Sequence, residues 1–312
     1  MNSIIPVFLV FYLFFSGCKQ ISEQEQQNTL DPAPSRGTIE IEGTKLNYVI
    51  EGDGAPCLVI GSSIYYPRTF SEKLRNSFRI YFVDLRWFAK EYSPVDPETY
   101  TLQAIADDID KIRSELDLGK VILIGHSIHG TIAFEYARRY PENVSHVVLI
   151  GSPNIHGNET YRIATEALWE TASEERKKIQ KRYLQEMPNP EALSGTGKFI
   201  ETYVYSGAMY WYDPNYDARW LWNDMTVNTD LTSHLFGTIF SDYDMFKTNQ
   251  TVPAPTLVVL GKYDYIIPYT LWKDLDSIPN LSITVFDKSG HTPQLEESER
   301  FDKILLDWIN NQ

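Results

Sequence analysis

Apolar and polar positions alternate over residues 38–42 and 46–51, with Gly43 and Thr44 between them, a pattern that predicts a hairpin. Two short unbroken apolar runs follow, Cys57-Leu58-Val59-Ile60 ending at Gly61 and residues 78–83 ending at Asp84. Runs of that length without alternation predict strands buried on both faces. Leu102, Ile105, Ile109, Ile112 and Leu116 then recur at steps of three and four, which predicts an amphipathic helix. Val121-Ile122-Leu123-Ile124 and residues 144–150 predict two more buried strands, separated by a helix over 128–140 that Pro141 stops. Residues 256–260 and 281–286 predict further strands, with a helix over about 268–276 between them and an amphipathic helix over 301–309 at the end. Strands alternating with helices imply right-handed crossovers, and so an α/β fold: a mostly parallel central sheet flanked by helices on both faces.

One stretch breaks this rhythm. Residues 155–250 show no strand–helix alternation but several helical segments dense in Tyr and Trp, which predicts a helical, aromatic-rich cap inserted between two sheet strands. The core is therefore expected in two parts, 38–154 and 251–312. At the other end, residues 4–15 are almost wholly apolar, a run shorter than the roughly 20 residues a transmembrane helix needs and suited to a signal-peptide core. Ser16 and Gly17 before Cys18 resemble the lipobox of bacterial lipoproteins. That resemblance implies removal of residues 1–17, a lipidated Cys18, and a protein anchored to a membrane of the bacterial cell envelope, facing periplasm or exterior. Residues 18–37 are rich in Gln, Glu and Ser and read as a flexible tether.

Charge narrows the partners. With 28 Lys+Arg against 42 Asp+Glu, the formal net charge of −14 argues against nucleic acid and against attachment through a basic patch. Two cysteines far apart make no disulfide framework, and Cys57 at the start of an apolar strand predicts a buried thiol. No glycine loop follows a strand in the pattern that cradles phosphates, and no His/Asp cluster has ligand spacing, so neither cofactor nor metal is expected.

Candidate chemistry lies where predicted strands end. Gly125-His126-Ser127-Ile128-His129-Gly130 falls at a strand-to-helix junction, where a sharp turn exposes a serine hydroxyl and the helix N-terminus favours developing negative charge. The match to Gly-x-Ser-x-Gly is shifted, because His129 occupies the fifth position and Gly130 follows. A serine hydroxyl needs a base, and the base needs an orienting acid. His291 lies in a loop after residues 281–286, and Asp264 directly after residues 256–260. Both belong to the sheet edge that carries Ser127, where open α/β sheets bind ligands.

The order Ser127, Asp264, His291, together with Gly261-Lys262-Tyr263-Asp264 through Pro268 and Ser289-Gly290-His291 followed by Pro293 and Glu296, resembles the α/β-hydrolases, in particular the proline-iminopeptidase-like branch. The resemblance implies Ser127 as nucleophile, His291 as base and then acid, and Asp264 as the group that orients the imidazole. Where that family usually has His-Gly after the third strand, this chain has Ile60-Gly61-Ser62-Ser63-Ile64-Tyr65, so an oxyanion amide falls to Ser62 or Ser63, paired with Ile128. The family's glycine-rich turn after Asp-x-Arg is replaced by Trp87-Phe88-Ala89-Lys90, which implies a reshaped loop. The expected function is hydrolysis of a small ester or amide, or of a short peptide, through an acyl-enzyme. Release of an N-terminal proline or small residue requires an ammonium site. Glu201, Asp213, Asp217 and Asp224, with Trp211 among the cap aromatics, are the candidates for it. The alternatives are a carboxylesterase of the same fold and, from another class, a non-catalytic hydrolase-like surface binding protein.

Overall fold

The computed structural model describes residues 35–91, 96, 99–189, 192–193, 195–247, 252–275 and 278–312. The expected signal segment and Cys18 lie outside them. Strands β1 (Ser35–Ile41) and β2 (Thr44–Glu51) form the predicted hairpin, followed by β3 (Ala55–Gly61), α1 (Glu72–Arg75) and β4 (Phe78–Asp84). Helix α2 (Leu102–Glu115), β5 (Val121–His126), α3 (Ile128–Arg139) and β6 (Val144–Ile150) complete the first part. An insertion runs through β7 (Ile155–His156), α4 (Glu159–Glu170), α5 (Glu174–Glu186), α6 (Gly195–Tyr205), α7 (Gly207–Tyr210), α8 (Thr229–His234) and β8 (Tyr243–Asp244). The chain then returns through β9 (Thr256–Gly261), β10 (Leu281–Phe286), α9 (Pro293–Glu296) and α10 (Ser298–Asn310).

Eight strands make one sheet in the order β1-β2-β4-β3-β5-β6-β9-β10. β1 and β2 pair antiparallel, β2 pairs antiparallel with β4, and the remaining six strands run parallel. Every residue of β5 is buried: the strand lies between β3 and β6 inside the sheet, α3 packs against it, and its apolar run has no solvent face. Thr101 caps α2 by accepting the Ala104 N–H, and Ile105, Ile109 and Ile112 carry the buried stripe of that helix.

Two expectations change. The first strand starts at Ser35, because residues 35–37 of the expected tether pair with Ile50, Val49 and Tyr48. The helix expected over 268–276 is a single 3-10 turn, Tyr269–Trp272, with position 276 outside the described residues. Its winding stops because Asp274 takes a positive φ of 65°, and the Trp272 indole N–H is tied to Ser152 O at 2.8 Å. The insertion is helical with one addition: β7 and β8 pair antiparallel where the chain leaves and re-enters the core.

Candidate functional site

β5 ends and α3 begins at Ser127, which adopts φ 58° and ψ −134°. A side chain in that region is strained, and strain of this kind persists only where the surroundings hold it. The Ser127 N–H donates to Ile150 O at 2.8 Å, and the Ser127 carbonyl accepts the Gly130 N–H at 3.0 Å. Glycine is required on both sides of the turn. A Cβ on Gly125 would lie 2.2 Å from His129 O, and one on Gly130 1.8 Å from Ser152 Oγ.

Asp264 and His291 stand on the loops after β9 and β10. His291 Nδ1 is 2.6 Å from Asp264 Oδ2, while Asp264 Oδ1 accepts the N–H groups of Ile266 (3.1 Å) and Ile267 (2.8 Å). Asp264 is fully buried, so every bond it makes is shielded from water. A carboxylate that accepts from Nδ1–H fixes the tautomer and leaves Nε2 as the basic nitrogen. Ser127 and His291 line one pocket.

The loop after β3 settles which serine has a free amide. The Ser63 N–H donates to Asp84 Oδ1 at 2.6 Å, and burial pushes that carboxyl up to about 6. Ser62 lines the pocket, and its Oγ accepts from Ile64 N (3.2 Å) and Tyr65 N (3.1 Å). Its own N–H has no acceptor among the described residues. Ile128 is the first residue of α3, where helical amides lack an internal partner. In the Asp-x-Arg loop Arg86 forks onto Asp108 at 2.6 and 2.7 Å, and Trp87 and Phe88 turn into the pocket wall.

Tyr65, Phe199, Tyr203, Tyr210, Trp211 and Trp222 give the pocket much of its surface. Among the described residues no Asp, Glu, Lys or Arg lines it. Of the residues named for an ammonium site, Trp211 lines the pocket and the cap acids lie elsewhere. Glu201 pairs with Arg219, and Asp213 Oδ1 and Asp217 Oδ1 accept the N–H groups of Asn215 (2.9 Å) and Arg219 (3.0 Å). Asp224 faces Arg68 at 3.8 Å with its side chain 84% exposed. None of these carboxylates lines the apolar cavity, which would offer them no compensation.

A buried carboxylate does sit behind the site, though the sequence gives it no role. Glu296 accepts the N–H groups of Gly290 (3.0 Å), Thr292 (3.0 Å) and Tyr212 (2.7 Å), and burial pushes it up to about 7. Tyr212 ends a cap segment, residues 208–212, that straps the loops carrying Asp264 and His291. Met209 O accepts the Tyr265 N–H at 3.0 Å, and Tyr210 O accepts the His291 N–H at 2.5 Å. From the other side, Arg176 donates to Ala208 O (2.7 Å), Trp211 O (2.7 Å) and Tyr212 O (2.5 Å). Among the described residues no cluster of three or more His, Cys, Asp or Glu could hold a metal ion.

Residues 59–298 match the family model described as alpha/beta hydrolase fold. "AB hydrolase superfamily protein YclE" of Bacillus subtilis (strain 168) is 36% identical over 276 residues, spanning 88% of this chain and 98% of that protein. A proline iminopeptidase of Heyndrickxia coagulans is 23% identical over 299 residues, covering 89% of this chain and 99% of its own. The solved structure of an alpha/beta fold family hydrolase from Bacillus anthracis str. Sterne superposes with a TM-score of 0.68 at 20% identity, over 88% of this chain and 99% of that one.

Proposed function

The chain belongs to the alpha/beta hydrolase fold family, and we propose that it is a serine hydrolase acting on an ester or amide whose acyl group is uncharged and apolar. The observation that carries this reading is the His291–Asp264 pair beside a strained, pocket-facing Ser127. Ser127 Oγ attacks the carbonyl carbon as His291 Nε2 takes its proton, and Asp264 stabilises the imidazolium. The oxyanion is received by the N–H groups of Ile128 and Ser62, at the positive end of α3. His291 then protonates the leaving group, and water, deprotonated by the same nitrogen, releases the acid from the acyl-enzyme.

Aminopeptidase activity, which the resemblance implies, needs a partner for a free ammonium group inside the pocket. Its uncharged lining favours a neutral acyl group instead. The test is paired. A fluorophosphonate should label the wild type and leave Ser127→Ala unlabelled, and neutral p-nitrophenyl esters should be cleaved faster than alanyl- or prolyl-p-nitroanilide. Labelling that survives in Ser127→Ala overturns the nucleophile. Absence of both labelling and turnover makes the protein a binding module. Faster cleavage of a free-amine anilide than of its N-acetyl form restores the peptidase.

We further propose that Cys18 is acylated and tethers the enzyme to a membrane of the bacterial envelope. This rests on the apolar run 4–15 and the small residues before Cys18. Among the described residues no helix is long and apolar enough to cross a membrane. Radiolabelled palmitate should enter the wild type and not Cys18→Ser; a wild type that stays unlabelled and soluble overturns the tether.

A further inference from the structure

His129, which takes the position where the serine motif usually has glycine, is buried and bonded through both ring nitrogens. Trp87 Nε1 donates to His129 Nε2 at 3.3 Å, and Tyr66 Oη lies 2.7 Å from His129 Nδ1. An indole N–H can only donate, so Nε2 must hold a lone pair and the proton of the neutral ring sits on Nδ1. Nδ1–H therefore donates to Tyr66, whose own hydroxyl is free to donate to His126 O at 3.4 Å. Protonation would set N–H against N–H at Trp87, and burial already holds His129 down at about 4. The ring lies nearly parallel to the indole, at 10° between planes, and stands edge-on to Tyr66 at 87°.

These bonds join three segments. Tyr66 belongs to the loop that carries Ser62, Trp87 to the loop after β4, and His129 to the first turn of α3 beside Ile128. Gly61 admits the arrangement. It has φ +132°, and a Cβ there would lie 2.6 Å from Tyr66 Cε2 and 3.0 Å from His129 Cε1. The two amides assigned to the oxyanion thus sit on separate segments, and His129 spans them through Tyr66.

We infer that His129 is a positioning residue: a neutral strut that sets the Ser62 N–H relative to the Ile128 N–H through the Tyr66 hydroxyl. The inference rests on the serine-hydrolase reading above. Its role is felt only when negative charge develops on the carbonyl oxygen, so it should appear in kcat and leave substrate binding nearly untouched.

The experiment compares the wild type with His129→Ala, His129→Asn, Tyr66→Phe and the His129→Ala/Tyr66→Phe double variant, on a neutral ester and its thiono analogue. His129→Ala should lower kcat about 10–100-fold with KM within about threefold. Its rate ratio between ester and thionoester should shrink, because sulfur accepts hydrogen bonds poorly and reports the oxyanion contacts. His129→Asn, which keeps an N–H near the Nδ1 position, should regain much of the loss. Tyr66→Phe should reproduce the loss, and the double variant should be no worse than His129→Ala. An unchanged kcat, a loss confined to KM, or an unaltered ester-to-thionoester ratio overturns the strut. Should His129→Ala not fold, Tyr66→Phe, which removes one oxygen, carries the same test. Ser127→Ala in the same assay separates the two claims: activity there overturns the serine-hydrolase reading, whereas a dead Ser127→Ala beside fully active His129 variants overturns this inference alone.

Discussion

His126 Nε2 lies 2.8 Å from the carbonyl oxygen of His291, so the residue before the serine holds the backbone of the proposed base. A carbonyl only accepts, so His126 carries its proton on Nε2. Burial, and then the positive charge His291 takes on, hold His126 well below the usual imidazole range. The two ring centroids are 4.6 Å apart, and a charged His126 would oppose the imidazolium of the proposed mechanism. His126→Phe keeps the ring and removes the donor, leaving a buried carbonyl unpaired. It should lower kcat about tenfold through a looser His291, and an unchanged kcat in steady-state assays would refute the link.

Ser127 trades stability for an exposed hydroxyl. Ser127→Ala should abolish turnover, by about 10⁴-fold or more, with the fold intact. Ser127→Gly should be equally inactive yet more stable, because glycine accepts φ 58° without a Cβ clash. Relief of about 1–3 kcal/mol of strain, less about 0.5–1 kcal/mol of added chain entropy, leaves a net gain visible as a higher Tm. A lower Tm for Ser127→Gly than for the wild type would contradict a strained turn.

Glu296 makes stability depend on pH. Its ordinary value of 4.5 rises to about 7 in the folded protein, chiefly through burial, so folding takes up a proton between those values. The stability contributed by the neutral form is complete below about 4.5 and is lost as pH rises through about 7. Glu296→Gln is neutral throughout and should lack that slope, though weaker at every pH because its NH₂ faces backbone N–H donors. Urea unfolding at pH 5 and pH 8 should therefore show a larger fall for the wild type than for Glu296→Gln. Asp84, also raised, contributes equally to both proteins and cancels in the comparison.

Arg176 spans three carbonyls that an ammonium group cannot reach together. Arg176→Lys should destabilise by about 2–4 kcal/mol, because buried acceptors are left unpaired. Because the strap also accepts the His291 N–H, kcat should fall as well. A lower Tm with kcat preserved would separate the cap from the chemistry.

Sequence pattern and structure agree where burial is two-sided. The apolar run at 144–150 coincides with β6, since a strand covered on both faces leaves its pattern no second reading. Ser127, Asp264 and His291 are legible because each follows a strand at one sheet edge. Charge in the cap is legible, but its facing is not, because Asp213 and Asp217 are spent on neighbouring backbone amides. Asp84, 21 positions on in sequence, engages the Ser63 N–H and sets Ser63 apart from Ser62. Trp272 fails to continue a helix because its indole reaches Ser152, 120 positions away. His129 left a trace, as the residue out of place in its motif.

The strap over residues 208–212 has a consequence for anyone reshaping this pocket. Met209 and Tyr210 are bonded to the Asp264 and His291 loops, so that wall is part of the frame of the proposed proton transfer. Widening there for a bulkier substrate would detune the base. Phe199 and Trp222 line the same cavity from α6 and the turn Arg219–Trp222, and neither takes part in those bonds. Under the proposed mechanism, substrate range can therefore diversify on the α6 side of the mouth, while the strap side is held by its bonds to the Asp264 and His291 loops.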